Sequence, residues 1–268
     1  MGNKESLNLT EEEKITELYK RTTDYYKLNS KDLDIEEKFL NLFIVPDILD
    51  LVYNLKNKDL EDSVALYNKF INYLIEVRPD KFDEKELVTS FSAGKAFLHG
   101  RNNKGVLCLN ACPRNHRPDE CPIEHTLKFQ YYWMTKLLKL KKETGKDKIC
   151  VLADMDGLSM SNFDYGMFWK KHLLQPVQKI FGPMFDSIYI VNSGFIFKTI
   201  WYIISPFVSA ELKQKIKVLS DVTELKDYFD DENLLKALGG NSMFIYSYSY
   251  PYQDEFLLGE KIENDEKK

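Results

Sequence analysis

Ile149-Cys150-Val151-Leu152-Ala153-Asp154-Met155-Asp156-Gly157-Leu158-Ser159 is the stretch that decides how the chain is read. Five apolar residues in a row, two of them β-branched, stop at an acidic turn that carries a glycine. A run this short, flanked by turn residues, reads as a strand buried on both faces rather than as a helix. Gly105–Cys112, Ser187–Asn192 and Ile216–Leu219 have the same texture. Between them lie stretches of helical period at Glu124–Thr144, Asn162–Phe181 and Phe195–Lys215. Strands alternating with helices of crossover length predict an α/β domain built on a largely parallel sheet.

Upstream the pattern differs. From Glu11 to about Asp80 the chain is charged and nearly free of glycine, and Ile15, Leu18, Tyr19 and Phe39, Leu40, Phe43 recur at helical spacing. This gives four expected segments: a disordered start over residues 1–10, a helical region over 11–86, an α/β domain over 87–250, and a charged, disordered tail over 251–268. The opening Met-Gly-Asn-Lys-Glu-Ser fits the pattern for myristoylation on Gly2.

The chain carries 37 Lys and Arg against 42 Asp and Glu, a net charge of −5, which argues against a broad nucleic-acid groove. The longest uncharged apolar stretch, Thr199–Ala210, is twelve residues and contains Pro206. A spanning helix needs about 20 apolar residues, so no segment reads as one. With four cysteines and no secretory leader, the expectation is a cytoplasmic chain that meets membranes only at their surface.

Three motifs point to chemistry. Asp154-x-Asp156-Gly157 after an apolar strand resembles the first motif of haloacid-dehalogenase-type phosphatases, with Asp154 as nucleophile, Asp156 as general acid and Mg²⁺ beside them. Ser193, Lys215 and Asp230-Asp231 can be nominated as the remaining parts. Leu158-Ser159 after the glycine and a preceding strand at Gly105–Cys112 both depart from that pattern. Cys108, Cys112, His116, Cys121 and His125 place five soft ligands in eighteen residues, but the usual C-x2-C and H-x3-H pairs are missing, so packing is favoured over zinc. Gly94-Lys95 lacks the upstream glycine of a phosphate-binding loop. Last, Phe195–Val208 is apolar nearly all round apart from Lys198, so it is buried in a core or faces something greasy, and Pro206 ends or kinks it.

Taken in order, these pieces resemble the CRAL-TRIO lipid-binding family, of the phosphatidylinositol/phosphatidylcholine transfer protein type. The resemblance runs from about Glu11 to Gly240. It rests on Leu51–Leu60, the D-x-x-G-x-S ending Asp154–Ser159, Asn162–Tyr165, the strand Ile188–Asn192, Trp201 to Phe207, Lys215-Ile216 and the closing Leu238-Gly239-Gly240. It implies a helical N-terminal tripod beside an α/β lobe whose sheet floors a hydrophobic lipid pocket, closed by a mobile helix at Phe195–Val208. It implies a monomeric, non-catalytic carrier of a phospholipid such as phosphatidylinositol, or of another hydrophobic ligand, exchanged or presented at membranes. No cofactor is implied beyond the bound lipid. An adaptor with a vestigial pocket is the alternative outside enzymology.

Carried over residue by residue, the resemblance puts lipid head-group contacts on Lys58 and Lys215. It puts the acyl pocket and gate on Tyr131, Tyr132, Phe195, Phe197, Trp201, Ile204, Phe207 and Val208. The family's Tyr-Pro-Glu stretch reads Phe181-Gly182-Pro183-Met184 here, without the glutamate that would accept from ring hydroxyls. The two hydroxyl positions linked to choline-lipid binding are Ile149 and Val151.

Overall fold

The computed structural model describes residues 9–146, 148–166 and 171–248. Gly2 and the 251–268 tail lie outside them. The chain forms two compact units, Met1–Phe82 with Lys170–Gly182, and Asp83–Trp169 with Pro183–Lys268. A single cut near residue 86 does not describe this, because a segment expected in the α/β part packs with the N-terminal helices.

That first unit is helical. Helix α1 (Glu11–Ser30) starts at a capping box in which Thr10 and Glu13 exchange hydrogen bonds. Short α2 (Leu40–Phe43) and α3 (Pro46–Leu55), with proline in its first turn, lead to α4 (Leu60–Val77), which Asp59 caps. Helix α4 is the spine. Tyr67, Phe70, Ile71, Leu74 and Val77 are buried along it at three- and four-residue spacing, and α1, α3 and a later helix pack around it. The Tyr67 hydroxyl accepts from the Val45 N–H at 2.9 Å and donates to the Phe43 carbonyl at 3.1 Å, so a buried phenol keeps its partners.

In the second unit, α5 (Val88–Ser92) precedes β1 (Ala96–Arg101) and β2 (Leu107–Ala111). Helix α6 (Ile123–Thr144) ends on Gly145 in the left-handed region, whose N–H closes the last turn on Lys141. Strand β3 (Ile149–Asp154) follows, then α7 (Lys171–Phe181), which belongs to the first unit and meets Phe70 through Phe181 at 6.2 Å. Strand β4 (Phe185–Val191), α8 (Phe195–Ile204), α9 (Ala210–Lys215) and β5 (Ile216–Val218) complete the lobe. The five strands lie in the order β1-β2-β3-β4-β5, antiparallel between β1 and β2 and parallel elsewhere. This is the α/β architecture with a largely parallel sheet.

Three expectations change in detail. Strand β1 has no counterpart in the sequence reading. The run Phe195–Lys215 is not one helix: Pro206 opens a 3₁₀ turn at Ser205–Phe207, and Ser209 caps α9 afresh. Of the helix expected over Asn162–Phe181, the described residues show a 3₁₀ turn at Met160–Asn162 and then α7. Beyond β5, short 3₁₀ turns carry the chain across one face of the sheet to Leu238-Gly239-Gly240. A Cβ on Gly240 would sit 2.2 Å from the Leu234 carbonyl oxygen, so the closing glycine is there for a close backbone approach.

Candidate functional site: an apolar sheet face under α8

The two faces of the sheet are covered differently. Strand alternation sends Cys108, Cys150, Leu152, Tyr189 and Val191 to one side, where Leu225, Phe229, Leu234 and Leu238 seal them. Cys150 is 0% exposed, and Leu152 and Tyr189 are 2%. On the other side the register aligns Leu109 with Val151, Val151 with Ile188, and Ile188 with Ile216. This row crosses four strands through the middle of the sheet, is aliphatic throughout, and is only partly buried. A central strand position next to tightly packed neighbours is ordinarily sealed, because protein interiors pack close to crystalline density. The row is less tightly covered than the opposite face: Ile188 and Ile216 pack at the edge of the Ala153, Ile190 and Phe197 cluster, and all four residues keep partial exposure.

One row further along, Ala111, Ala153 and Ile190 are in register, and Phe197 and Trp201 of α8 lie over them. The two rings stack with centroids 6.1 Å apart and planes 18° apart. Small residues beneath and large rings above allow α8 to sit close to the sheet. The opposite side of α8 faces outward: Phe195 is 81% and Tyr202 84% exposed, with Lys198 exposed between them. Ile204, Phe207 and Val208, at the end of α8 and in the turn after it, are half-buried. A short helix with aromatics on both sides is held by little more than its Phe197 and Ile200 face.

The polar end of the site lies where β3 and β4 stop. Arg114 Nη1 donates to Asp154 Oδ2 at 2.6 Å and to the Asp156 carbonyl at 3.1 Å. Asn192 Nδ2 and the Asp156 N–H donate to Asp154 Oδ1 at 2.8 and 3.0 Å. Burial pushes the Asp154 carboxyl up, but Arg114, Asn192 and the Asp156 N–H outweigh it and hold the group below its ordinary value. A carboxylate with both oxygens engaged is a knot for the strand ends rather than a nucleophile. The phosphatase reading finds no support here. Lys215 and Glu211 pair at 3.2 Å within α9.

The other nominated residues are scattered. Tyr132 packs edge-on against Phe91 and Trp133, inside an aromatic group joining α5 and α6. Tyr131 is buried on α6, and burial pushes its phenol up to about 12. Lys58 lies in the first unit, in a left-handed turn after α3, paired with Glu11. Of the five soft ligands, Cys108 sits against Cys150 in the sealed face, Cys112 is near Arg114, His116 faces Asp164 and His125 faces Glu86. Among the described residues no three His, Cys, Asp or Glu side chains are grouped to hold a metal ion, and no helix is long and apolar enough to cross a membrane. Of this row, Leu109, Ile188 and Ile216 carry no signal of their own in the sequence, although alternation within each strand places them on one face with Val151.

Comparison with known proteins places this geometry in a family. Residues 91–240 match the sequence profile of the CRAL/TRIO domain, and the chain belongs to that family of lipid-binding and lipid-transfer proteins. A CRAL-TRIO domain-containing protein of Schizosaccharomyces pombe is 25% identical over 178 residues, 66% of this chain and 38% of that protein. The phosphatidylinositol transfer protein CSR1 of Eremothecium gossypii is 24% identical over 164 residues, 61% of this chain and 37% of that one. A human alpha-tocopherol transfer protein-like protein is 30% identical over 139 residues, 51% of this chain and 40% of its own. The matched part thus spans about two fifths of these relatives' length. The crystal structure of Sfh5 shares the fold, with a TM-score of 0.55 at 15% identity over 98% of this chain and 100% of that one.

Proposed function

We propose that this protein encloses one phospholipid or comparable hydrophobic molecule over the Leu109–Val151–Ile188–Ile216 floor, and exchanges or presents it at a membrane surface by moving α8. The observation that carries the reading is the partly exposed aliphatic row at mid-sheet, opposite a face whose strand residues Cys150, Leu152 and Tyr189 are at most 2% exposed. Acyl chains carried through water cost about 0.8 kcal/mol per exposed CH₂, so a carrier has to cover them along their length. Phe197 and Trp201 would be the inner surface of the cover. Phe195, Lys198 and Tyr202 would meet the interface when it opens, and the turn at Pro206 would be the hinge. No bond is made or broken, and the protein acts as a monomer. Contact with the membrane is transient and peripheral, since a net charge of −5 leaves no overall basicity to hold it there.

Relatives named for phosphatidylinositol and for tocopherol transfer support a hydrophobic ligand without choosing between them. For an anionic head group, Lys215 is the first candidate, since its mostly covered side chain immediately precedes β5 in the same unit as the row; Lys58, in the first unit, is the second. The test is movement of a fluorescent phospholipid, and separately of tocopherol, between donor and acceptor vesicles. Trp201→Glu should reduce transfer at least tenfold while leaving the circular dichroism unchanged. Transfer at the wild-type rate by that variant would remove α8 from the mechanism.

A further inference from the structure

Cys121 and Lys95 were set aside above as an unused metal ligand and half of an incomplete phosphate loop. The fold brings them together. Lys95 immediately precedes β1 and Cys121 lies just ahead of Pro122, the residue that caps α6. Lys95 Nζ is 3.7 Å from Cys121 Sγ and 3.1 Å from Ser90 Oγ. The thiol sulfur is also 3.9 Å from Ser90 Oγ and 3.7 Å from Thr126 Oγ1. Cys121 itself is buried, and Lys95 beside it is partly exposed.

The other three cysteines stand in different surroundings. Burial pushes the Cys108 thiol well up beside Cys150, and it raises Cys112 as well. Cys108 faces Cys150 rather than a cation, and Cys112 lies beside the Arg114 guanidinium rather than a lysine. Only at Cys121, among the described residues, does a lysine Nζ lie within hydrogen-bond reach of a thiol sulfur. Burial also pushes the Lys95 amine down, enlarging its uncharged, nucleophilic fraction, against the opposing pull of Cys121 and Asp164.

We propose that Lys95 and Cys121 are a modification site at which a peroxide drives a reversible nitrogen–sulfur link. In the first step the Cys121 thiolate attacks one peroxide oxygen. An S–O bond forms and the O–O bond breaks; the expelled hydroxide takes from Lys95 the proton the thiol gave up and leaves as water, freeing the amine, while sulfur is oxidised to the sulfenic acid as the peroxide is reduced. In the second step the neutral Lys95 amine attacks that sulfur. An N–S bond forms, the S–O bond breaks, and hydroxide leaves with a proton from the amine as a second water. The net change is loss of two hydrogen atoms from the protein against one peroxide consumed. A thiol reductant reverses it by exchange at sulfur, restoring amine and thiol. Closing the link requires the two side chains to move together by about one bond length each, within the reach of a flexible lysine stem. It would tie the start of β1 to the start of α6. This proposal does not depend on the lipid-carrier reading.

Peptide mapping of the intact protein after hydrogen peroxide treatment tests it. Trypsin should spare the linked Lys95, leaving Glu86–Arg101 joined to Asn115–Lys128, in which Cys121 is the sole cysteine. The joined pair should weigh two hydrogen atoms less than the sum of its parts, grow in proportion to loss of the Cys121 thiol, and vanish on dithiothreitol treatment. Lys95→Met should abolish the pair while Cys121 still oxidises. That variant also separates chemistry from folding, because thiol loss is read in the same digest. The proposal is overturned if Cys121 stays reduced in wild type, or oxidises to the sulfinic acid or a disulfide without joining Lys95.

Discussion

Val151 and Leu152 are adjacent in the central strand but face opposite sides of it, so they test the proposed lipid floor directly. Leu152 is 2% exposed and packs with Cys150, Tyr189 and the 225–238 turns. Replacing it with tryptophan forces extra volume into a sealed layer, which costs about 1–3 kcal/mol. Val151 sits in the partly open row between Leu109 and Ile188. Val151→Phe adds comparable volume where there is room, and phenylalanine suits a strand, so the cost should stay under about 0.5 kcal/mol. In a domain of this size each kcal/mol moves the melting temperature by roughly 2–4 °C. Differential scanning calorimetry of ligand-stripped protein should therefore find Leu152→Trp lower by about 2–12 °C and Val151→Phe within about 2 °C of wild type. Val151→Phe should nevertheless lose ligand, because the ring occupies the floor. If Val151→Phe proves as destabilising as Leu152→Trp, the row is packed core and the argument for a cavity fails.

Three further outcomes follow from single sites. Gly240→Ala should cost about 1–3 kcal/mol in urea unfolding, because its Cβ would lie 2.2 Å from a backbone oxygen that no side-chain rotation can relieve. Asp154 has a lowered folded pKa, so its contribution is full above the ordinary value of 3.8 and is lost as pH falls through the folded value. Asp154→Asn should thus be destabilised by about 1–3 kcal/mol at neutral pH, converge with wild type in acid, and keep whatever lipid transfer the protein has. Lys215→Ala should weaken an inositol phospholipid several-fold and tocopherol not at all in vesicle titrations, since a charge-assisted hydrogen bond is worth roughly 1.5–3 kcal/mol. Equal effects on both ligands would take Lys215 out of the head-group site.

Strands β2 to β5 were legible in the sequence because each is a short apolar run bounded by turn residues. Strand β1 was not. Its Ala-Phe-Leu-His-Gly-Arg run carries a polar His99 and a Gly100 in the left-handed region, and the close approach of Asn233 to that glycine exists only after folding. Helix α6 and its glycine stop were readable from period and capping. The break between α8 and α9 is signalled by Pro206, but the apolar run that continues past it masks where the second helix begins. Membership of α7 in the first unit depends on the meeting of Phe181 with Phe70, a contact no local pattern encodes. The site divided in the same way. Helix α8 was visible as an apolar stretch that had to be buried or face something greasy. The floor needed the strand register, because Leu109, Val151, Ile188 and Ile216 become a row only when β2, β3, β4 and β5 are aligned. The Asp154 knot misled in isolation, since its partners Arg114 and Asn192 lie about forty residues away on either side.

Native mass spectrometry of the full chain, purified without detergent, tests the central claim most directly. The account predicts a species heavier than the polypeptide by one hydrophobic molecule, recoverable by organic extraction and reduced in Val151→Phe. The bare polypeptide mass in repeated preparations, with no uptake after incubation with phospholipid or tocopherol vesicles, would contradict it.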